Sequence, residues 1–320
     1  MKVLVTGGAG FIGSHVVDAY IRSGHEVVVV DDFSTGRHEN LASGIRVHEM
    51  DVGDKSFRKI VSDVQPEVVN HHAAQVSVGL SVENPAEDAR LNILGSLAVF
   101  EACAQAGVRR LIFSSSGGAI YGDQKDIPCV EIARPIPRSP YGIAKYASEH
   151  YLRYYGEVWG LRSVVLRYSN VYGPRQQSVG EAGVISIFCK RILDGEPLAI
   201  NGDGDQTRDF VFVEDAARAN IQALEFLLSD QCMANGGEVS QWIFNIGTGT
   251  ETTINQLANY MIQVAERPIR VVHRVAKPGE QRRSAVSARR AREVLGWQPQ
   301  VDLQDGLRAT LKWFATGREC

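Results

Sequence analysis

The chain has 320 residues, which is enough for one large α/β unit with an appended lobe. Hydrophobic residues make up 44% and charged residues 22%, proportions that are typical of a globular protein. The net charge of −3 leaves no basic stripe, and no apolar run approaches the roughly 18 residues of a membrane helix, so we expect neither a nucleic-acid nor a membrane partner.

Short apolar runs alternate with amphipathic stretches over the first two-thirds of the chain. The predicted strands lie at residues 2–6, 26–31, 46–50, 68–71, 110–114 and 163–168, and amphipathic helices are predicted at 14–23 and 91–107. Strand and helix in regular succession are typical of an α/β fold with a doubly wound parallel sheet, the Rossmann architecture.

The pattern changes after Gly173. Residues 174–183 are polar and without periodicity, which predicts a loop, and beyond them strand and helix patterns mix. We therefore assign residues 1–173 to a Rossmann domain and 174–320 to a smaller mixed α/β substrate lobe. A strand at 209–213 and a helix at 213–228 are expected to form a segment that returns to the first domain.

Glycines crowd the turn between the first strand and the first helix. Gly7, Gly10 and Gly13 would keep the turn tight and let a pyrophosphate approach bare backbone, while Phe11 and Ile12 stand at the helix amino terminus, whose N–H groups attract an anion. The bland alternative is an ordinary glycine-rich turn. The spacing favours a dinucleotide site.

Acidic residues close the second and third strands. Asp31 and Asp32 fall about 20 residues after the glycine turn, where a carboxylate accepts bonds from an adenosine ribose. Asp31 would repel a 2′-phosphate, which favours NAD over NADP, although nearby Arg37 weighs against that preference. Residues 51–52, Asp51 and Val52, are expected near the adenine.

Tyr141 and Lys145 lie one helical turn apart on one face of a predicted helix. A phenol with a reference pKa of about 10 is a poor base near neutral pH, but a neighbouring ammonium favours the phenolate. The pair can then act as a general base and acid. By itself the YxxxK spacing is weak, because a buried tyrosine and a solvated lysine on a helix give the same pattern.

At this point the sequence resembles a known family. The motifs TGGAGFIG, VDD, HHAAQVSV, SSSGGAIYG, YxxxK and LRYSNVYGPRQ are together similar to the extended short-chain dehydrogenase/reductases. Within them the chain most resembles the NAD-dependent sugar-nucleotide epimerases, the UDP-glucose 4-epimerases. The resemblance covers essentially the whole chain.

The resemblance implies roles for residues near the cofactor. Tyr141 would be the catalytic base and acid, and Lys145 would tune it and hold the nicotinamide ribose. Ser116 resembles the catalytic hydroxyl, with Ser115 as a competitor because the loop before Tyr121 is one residue longer than in some epimerases. The residues expected to line the cofactor also include Ala73, Asn92 and Ser114.

The resemblance also implies a substrate set. Asn170 would contact the substrate diphosphate and Arg208 would grip the nucleotide phosphates. An Arg-x-Gly-Asp/Glu element of the family reads Lys277-Pro-Gly-Glu280 here, which loses the bidentate guanidinium. Ser284 falls on the position that sets the size of the sugar pocket, although a plain surface serine is an equal reading.

The implied activity is the interconversion of UDP-glucose and UDP-galactose by transient NAD-dependent oxidation at C4, rotation of the 4-keto sugar and re-reduction. Because Ser284 is small, we also expect activity on UDP-GlcNAc and UDP-GalNAc. The alternatives are a UDP-glucuronate decarboxylase or another sugar-nucleotide dehydratase of the same family. Dehydratases carry an acidic pair where this chain has Gly117-Gly118. A non-catalytic NAD-binding regulator is a further alternative, disfavoured because both Tyr141 and Lys145 are present.

The remaining signals concern partners and compartment. The five cysteines have no CxxC spacing, so we expect reduced thiols in a cytoplasmic protein and no metal site. His71 and His72 lack ligand partners at metal spacing, and we expect packing or backbone contacts for them. By analogy with the family, we expect a homodimer through the helices near 92–107 and 141–157.

Overall fold

The computed structural model describes residues 1–178, 183–229, 232, 241–276 and 281–316. Its strands, in chain order, are β1 Lys2–Thr6, β2 Glu26–Asp31, β3 Arg46–Glu49, β4 Val68–His71, β5 Arg110–Ser116, β6 Arg162–Tyr168, β7 Asn170–Tyr172, β8 Leu198–Asn201, β9 Thr207–Arg208, β10 Phe210–Phe212, β11 Gln241–Ile246, β12 Thr252–Thr253 and β13 Val271–Arg274. Its helices are α1 Phe11–Arg22, α2 Phe57–Val64, α3 Val78–Glu83, α4 Pro85–Ala89, α5 Gly95–Ala106, α6 Gly117–Ile120, α7 Pro140–Trp159, α8 Val184–Asp194, α9 Val213–Leu228, α10 Ile254–Ala265, α11 Arg289–Leu295 and α12 Leu303–Ala315, with a 3-10 turn at His38–Asn40 and a π-helical turn at Arg90–Leu94.

Parallel strands form the central sheet in the order β11-β6-β5-β4-β1-β2-β3. The strand order reverses between β1 and β4, because the chain runs outward from β1 to β3 and then returns to the other side of β1. The predicted doubly wound parallel sheet is confirmed. In such a sheet, ligands bind beyond the carboxyl ends of the strands at this reversal.

Strand β1 shows why helices cover both faces of the sheet. Val3 and Val5 pack in the apolar core that α1 and α9 cover. Leu4 points to the opposite face and packs in the core that α2, α5 and α7 cover. Alternate side chains of a strand point to opposite faces, so a buried parallel strand is apolar throughout.

A separate apolar core lies in the carboxy-terminal part of the chain. Phe188 of α8, Leu198 of β8, Met261 of α10 and Leu307 of α12 belong to it. Among the described residues, the two-stranded sheets β10-β7, β12-β9 and β13-β8 accompany these helices. The predicted mixed α/β lobe is therefore confirmed as an architecture.

Strand β11 was not predicted from the sequence. It pairs in parallel with β6, from Gln241 opposite Ser163 to Ile246 opposite Tyr168, so a segment after residue 173 completes the central sheet. A short apolar run of this kind does not distinguish a strand from a helix by its periodicity. The predicted helix at 213–228 is α9, which packs on α1, whereas β10 pairs with β7 rather than with the central sheet. The domain boundary at residue 173 stays a prediction.

Two element boundaries differ from the prediction in ways that affect the site. Strand β5 continues to Ser116 instead of ending at residue 114, because its backbone stays in register with β6. Gly117 then begins the short helix α6, where the sequence predicted a loop. Helix α1 begins at Phe11 instead of residue 14, so its first turn lies beside the glycines.

Among the described residues, no helix combines the length and apolarity needed to cross a bilayer. The same part of the chain holds no group of three or more His, Cys, Asp or Glu side chains that could bind a metal ion. Four cysteines are free and buried: Cys103, Cys129, Cys189 and Cys232. Cys320 lies outside the described residues.

Candidate active site

A cavity of about 1380 Å³ opens over the carboxyl ends of the central strands. The predicted site residues that line it are Gly7, Gly10, Phe11, Ile12, Gly13, Asp31, Asp32, Asp51, Val52, Ala73, Ser114, Ser116, Tyr141, Lys145, Asn170 and Arg208. Two other predicted site residues, Asn92 and Ser284, belong to the described part of the chain but do not line the cavity. Lys277 and Glu280 lie outside the described part of the chain.

The glycine turn leaves no room for side chains. A Cβ on Gly13 would lie 2.0 Å from the Gly7 oxygen, and one on Gly7, whose φ is +67°, would lie 2.5 Å from the Ala73 nitrogen. Gly10 precedes α1 and provides no capping side chain, so the first turn of the helix presents backbone N–H groups. This end of the cavity therefore offers donors to an anion that approaches the bare backbone.

Asp31 is built into the wall beside this turn. Its Oδ2 accepts a hydrogen bond from the Ala9 backbone at 2.8 Å, and its Oδ1 accepts one from Phe33 at 2.9 Å. Burial raises the pKa of Asp31, and these two bonds act against that shift. Each carboxylate oxygen has a further lone pair for a ligand hydroxyl. Asp31 therefore braces the turn and can also receive a ribose.

The rim near the end of β3 is more polar. Asp51 Oδ1 accepts a bond from the Gly53 nitrogen at 2.8 Å, and its Oδ2 lies 3.3 Å from the Arg90 guanidinium. Val52 is buried and contributes an apolar surface to the cavity. Arg37 also lines the cavity, with its backbone nitrogen bonded to the Ala9 oxygen at 3.1 Å.

Helix α7 carries Tyr141 in its first turn and Lys145 one turn later. Ser139 caps the helix by accepting a bond from the Gly142 nitrogen at 3.2 Å, and Pro140 occupies the first turn. The Lys145 Nζ lies 5.9 Å from the centre of the Tyr141 ring. The sequence spacing therefore places the phenol and the ammonium in one cavity, as predicted.

Lys145 is almost fully enclosed, with 3% of its surface exposed. Its Nζ donates a hydrogen bond to the Ser114 carbonyl at 3.0 Å. Burial lowers the pKa of Lys145 to about 8, against the opposite effect of the Asp88 and Glu149 carboxylates. Near neutral pH the ammonium still carries its proton, and its field favours the phenolate of Tyr141.

The three serines at the end of β5 are not equivalent. Ser115 is buried and its hydroxyl donates to Glu149 Oε1 at 2.6 Å. Ser114 and Ser116 are less buried and point to the other face of the strand. Since the Ser115 hydroxyl is used inside the protein, the geometry favours Ser116 as the hydroxyl available to a ligand.

Glu149 connects the helix of Tyr141 to the strand that carries the serines. Its carboxylate receives two bonds from the Arg167 guanidinium, at 2.9 and 2.5 Å, in addition to the Ser115 bond. Arg167 also donates to the Tyr121 hydroxyl at 2.8 Å, beyond α6. The ion pair is buried, so each charge depends on the other to remain satisfied.

The opposite wall of the cavity comes from β7 and β9. The Asn170 backbone donates to the Asp209 oxygen at 2.9 Å, while its side-chain Oδ1 is buried and has no hydrogen-bond partner among the described residues. Arg208 Nη1 donates to the carbonyls of Thr207 at 2.8 Å and Gln281 at 2.9 Å. These side chains bring amide and guanidinium groups to the cavity from outside the Rossmann sheet.

Asn92 is placed differently from the prediction. Its amide is occupied inside the protein: Oδ1 accepts from the Gln75 nitrogen at 3.0 Å, and Nδ2 donates to the Gln75 oxygen at 2.9 Å and to Asp88 at 2.8 Å. Gln75 lines the cavity and Asn92 does not. The structure therefore places Asn92 behind Gln75, where its amide supports a residue of the cavity wall, and its role near the cofactor stays a prediction.

Ser284 is also set back from the cavity. It is buried, at 6% exposure, and is followed by Ala285, whose carbonyl accepts a bond from the Cys129 nitrogen at 2.9 Å. Ser284 is therefore not an exposed surface serine, which was the alternative interpretation of this position. Its effect on the sugar pocket stays a prediction: a serine here would enlarge the pocket by leaving volume that a larger side chain would occupy.

Several residues that line the cavity were not selected from the sequence. His72 follows β4, and burial lowers its pKa to about 4, so its ring is neutral near pH 7. The neighbouring His71 is buried and packs against Phe113, as the expectation of packing contacts requires, and its ring also contacts the hydroxyls of Thr6 and Ser96. Arg175 and residues 176–177 line the cavity in the segment after β7. Their motif, GPRQ, was visible in the sequence, but it showed no chemistry of its own.

Comparisons with known proteins agree with this geometry. Residues 3–247 match the model of the NAD dependent epimerase/dehydratase family. A UDP-glucose 4-epimerase of Mycolicibacterium smegmatis is 41% identical over 319 residues, covering 98% of each chain.

Two solved structures resemble the whole chain. A UDP-glucose 4-epimerase of Thermotoga maritima, solved with UDP-glucose, is 45% identical with a TM-score of 0.93 and covers 99% of each chain. A UDP-N-acetylglucosamine 4-epimerase of Methanobrevibacter ruminantium, solved with UDP-N-acetylmuramic acid, is 37% identical with a TM-score of 0.90 and covers 99% of this chain and 98% of that one.

Proposed function

We propose that this chain, which belongs to the NAD dependent epimerase/dehydratase family, interconverts UDP-glucose and UDP-galactose by inverting C4 of the sugar. The observation that carries the proposal is the enclosed ammonium of Lys145, 5.9 Å from the Tyr141 ring in a cavity that also contains the glycine turn. A relative at 41% identity with this activity supports the choice of reaction.

The cofactor is NAD, as predicted. The residues of the turn fit it, because Gly7, Gly10 and Gly13 line the cavity with bare backbone and the Asp31 carboxylate lies beside them. We propose that Gly10, Phe11 and Ile12 hold the pyrophosphate and that Asp31 receives the adenosine ribose. When bound, NAD supplies the acceptor and donor of the C4 hydride.

Tyr141 would take the proton of the sugar 4-hydroxyl and later return it. Only the phenolate form of Tyr141 can accept the proton of the sugar 4-hydroxyl, so the side chain must be ionised part of the time near neutral pH. Lys145 makes this possible, since its ammonium is held by the Ser114 carbonyl and faces the ring. Its enclosure keeps water from screening the interaction.

Ser116 would donate to or accept from the same sugar oxygen. Ser115 was the competitor, but its hydroxyl is bonded to Glu149. A hydroxyl can act as donor and acceptor, so it can follow the oxygen as the C4 alcohol becomes a ketone and is reduced again.

Epimerisation requires a nucleotide end that is held and a sugar end that can turn. We propose that Asn170 and Arg208 hold the diphosphate from the wall opposite α7, with Lys277 and Glu280 assigned by resemblance alone. The buried Oδ1 of Asn170 and a phosphate oxygen are both acceptors and cannot hydrogen-bond to each other, but the amide nitrogen of Asn170 can donate to a phosphate. The 4-keto sugar would then rotate about its link to the diphosphate.

We propose that UDP-GlcNAc and UDP-GalNAc are also substrates. Ser284 is small and buried, and a relative at 37% identity acts on UDP-N-acetylglucosamine. A serine at this position leaves volume that a larger side chain would occupy, which an acetamido group can use.

A dehydratase eliminates water by acid and base catalysis, so it needs ionisable side chains beside the sugar. Gly117 and Gly118 of α6 supply none at the position where the dehydratases carry an acidic pair. A Cβ on Gly117 would also lie 2.9 Å from Val286 Cγ1 and 3.1 Å from the Arg167 oxygen, so that position has no room for a larger side chain. The missing acidic pair argues against a dehydratase. A UDP-glucuronate decarboxylase is a competing hypothesis that product analysis distinguishes.

The test is incubation of the purified protein with each UDP-hexose, UDP-N-acetylhexosamine and UDP-glucuronate, followed by NMR of the products. Conversion of UDP-glucose to a mixture with UDP-galactose supports the proposal. A UDP-pentose from UDP-glucuronate, or a 4-keto-6-deoxy sugar, would replace it with a decarboxylase or a dehydratase. No product, with NAD bound and not reduced, would favour a regulator.

We also propose a homodimer through α5, the turn before it, and α7. Exposed apolar side chains lie on the turn before α5 and on α7: Leu94, Ile143, Tyr151, Tyr154 and Val158. Helix packing between two copies would cover them. A light-scattering mass of one chain at micromolar concentration would contradict this.

The free buried thiols favour a reducing compartment, and we propose the cytoplasm.

A further inference from the structure

The segment 174–177 leaves β7 and crosses to the Rossmann side of the cavity. It follows the wall that carries Asn170. Gln176 bonds back to the Val171 oxygen of β7, whereas Pro174, Arg175 and Gln177 contact α1 and the loop after β2. Arg175, Gln176 and Gln177 line the same cavity as the glycine turn. We call residues 174–177 the strap.

Two contacts attach the strap to α1. His15 Nε2 lies 3.0 Å from the Pro174 oxygen, and Arg175 Nη2 lies 2.8 Å from Asp18 Oδ2. Burial lowers the pKa of His15 to about 4, so its ring is neutral near pH 7. Because a carbonyl oxygen only accepts, Nε2 must carry the ring hydrogen and donate it.

A third contact attaches the strap to the loop after β2. Gln177 Nε2 donates to the Thr35 oxygen at 2.6 Å. Thr35 belongs to the stretch that follows Asp31 and also lines the cavity. The strap is thus bonded on both sides of the glycine turn, to the helix that begins there and to the acidic loop beside it.

The backbone of the strap is specific. Arg175 has a φ of +68°, in the left-handed region that a non-glycine residue occupies at a cost in free energy. The contacts to α1 and Thr35 must therefore determine this conformation. Such a pre-formed segment does not have to become ordered when a ligand binds.

We propose that the strap retains NAD in its cleft, with Arg175, Gln177 and their partners acting as cofactor-retaining residues. A dinucleotide that lies on the glycine turn is flanked by α1 and the Asp31 loop, and the strap joins these two elements across the cavity. Release then requires the ion pair and the two hydrogen bonds to open together. An epimerase needs this property, because the hydride removed from the sugar must return to the same sugar.

The inference rests on the bound cofactor of the proposed function and not on the identity of the sugar. It is tested by the rate at which NAD leaves the protein, with no substrate present. Protein loaded with NAD is desalted, released NAD is destroyed by an excess of NAD glycohydrolase, and the remaining bound NAD is measured over time after denaturation.

Three variants weaken the strap: Arg175→Ala and Gln177→Ala each remove one contact, and Asp18→Asn removes the charge that pairs with Arg175. Each is expected to release NAD about three- to tenfold faster than the unmodified chain. Arginine and alanine both carry a Cβ, so Arg175→Ala does not change the backbone strain at that position. The double variant Arg175→Ala/Asp18→Asn is expected to be no faster than the faster single variant, because both remove the same ion pair.

Arg58→Ala is the matched control. Arg58 on α2 lies 3.2 Å from Glu101 on α5, on the same domain but away from the cavity. Its release rate is expected to equal that of the unmodified chain. Unchanged rates of NAD release in folded Gln177→Ala and Arg175→Ala proteins would overturn the proposal that the strap retains NAD. An equal acceleration of release in Arg58→Ala would also overturn it.

The outcome is independent of the sugar reaction. If NMR shows no epimerisation while the strap variants lose NAD faster, the proposed reaction fails and the strap stands. If epimerisation is found and NAD release does not depend on these residues, the strap alone fails. Gln177→Ala keeps the test decisive if Arg175→Ala does not fold, since Gln177 meets Thr35 at an exposed site.

Discussion

The glycine turn and Asp31, on the cofactor side of the cavity, belong to one continuous βαβ unit, whereas the proposed sugar side is assembled from side chains that come from distant parts of the chain. On the cofactor side, the Ala9 nitrogen donates to the Asp31 carboxylate and the Ala9 oxygen accepts from the Arg37 nitrogen and the Asn40 amide, so residues close along the chain hold the turn. On the sugar side, Asn170 and Arg208 reach the cavity from β7 and β9.

The difference matches the two tasks of the proposed reaction. A dinucleotide that stays bound would be met by preformed backbone donors, which cost little to organise. A sugar that rotates would be met by side chains such as Asn170, whose buried oxygen lacks a partner among the described residues. The comparison predicts that substitutions on the two sides have separable effects on NAD content and on turnover.

Tyr141→Phe should produce the largest effect and should affect chemistry alone. Phenylalanine keeps the ring beside Lys145 and removes the group that transfers the proton, so kcat should fall by about 10²- to 10⁴-fold. NAD content and thermal midpoint should equal those of the unmodified chain. Tyr151→Phe, on an exposed part of the same helix, is the control and should keep full activity. Loss of NAD from Tyr141→Phe would contradict the prediction that NAD binding and turnover depend on different residues.

Gly13→Ala should have the converse effect. The added Cβ would lie 2.0 Å from the Gly7 oxygen, a backbone atom that cannot move without opening the turn. The protein should purify without NAD, and overpacking should lower stability by about 1–3 kcal/mol. Absorbance of the denatured supernatant measures NAD content, and a thermal melt measures stability.

The control for Gly13→Ala is a glycine with ordinary space around it. Gly95 lies in α5, and a Cβ there would sit 3.5 Å from Val52 Cγ2, a normal contact distance. Gly95→Ala should therefore retain NAD and gain slightly in helix stability. Full NAD content in Gly13→Ala would contradict a pyrophosphate site at this turn.

Ser284→Tyr tests the sugar side by volume. A tyrosine should remove activity on UDP-GlcNAc and UDP-GalNAc while sparing UDP-glucose and UDP-galactose, because only the acetylated sugars need the free space. Ser284→Ala keeps a small side chain and should retain both activities. Equal loss of both activities in Ser284→Tyr would reject the pocket argument and would indicate general disruption at this buried position.

Arg208→Ala tests the grip on the diphosphate. Removal of a charged donor to a phosphate should raise KM about 10- to 100-fold and change kcat less, with NAD content unaffected. Arg308→Ala, which breaks an exposed ion pair with Asp305 on α12, is the control and should leave KM unchanged. A fall in kcat with an unchanged KM would assign Arg208 to the chemical step.

The same comparison explains how much could be predicted from the sequence. Gly7, Gly13 and Asp31 belong to one βαβ unit, so their spacing along the chain reflects their arrangement in space. Tyr141 and Lys145 could be predicted for the same reason, since one helical turn separates them. Local geometry was enough for the doubly wound sheet, the glycine turn and the placement of Tyr141 and Lys145 in one cavity.

Features that depend on distant contacts could not be predicted. His15 meets Pro174 across 159 positions of the chain, and strand β11 is defined only by its pairing with β6. The spacing of Ser115 and Ser116 did not distinguish their roles, because the choice depends on Glu149 in another element. Asn92 fits the family pattern, yet its amide is used by Gln75 and Asp88.

Asp88→Asn should produce the smallest effect, on the pH dependence of turnover. The Asp88 carboxylate raises the pKa of Lys145, so its removal should lower that pKa below the present value of about 8. Activity needs the ammonium, and kcat/KM should fall as the pH rises through this pKa. The descending limb of the pH profile should therefore move to lower pH, by about half a unit or more.

Asparagine suits this test because it keeps the shape of the aspartate. Asp88 Oδ1 accepts bonds from Gln75 and Asn92, which an amide oxygen can also accept, whereas Oδ2 has no partner among the described residues. Asp63→Asn, which removes an exposed charge paired with Lys59, is the control and should leave the limb in place. A limb that stays fixed in Asp88→Asn would mean that another group, and not the Lys145 ammonium, limits turnover at high pH.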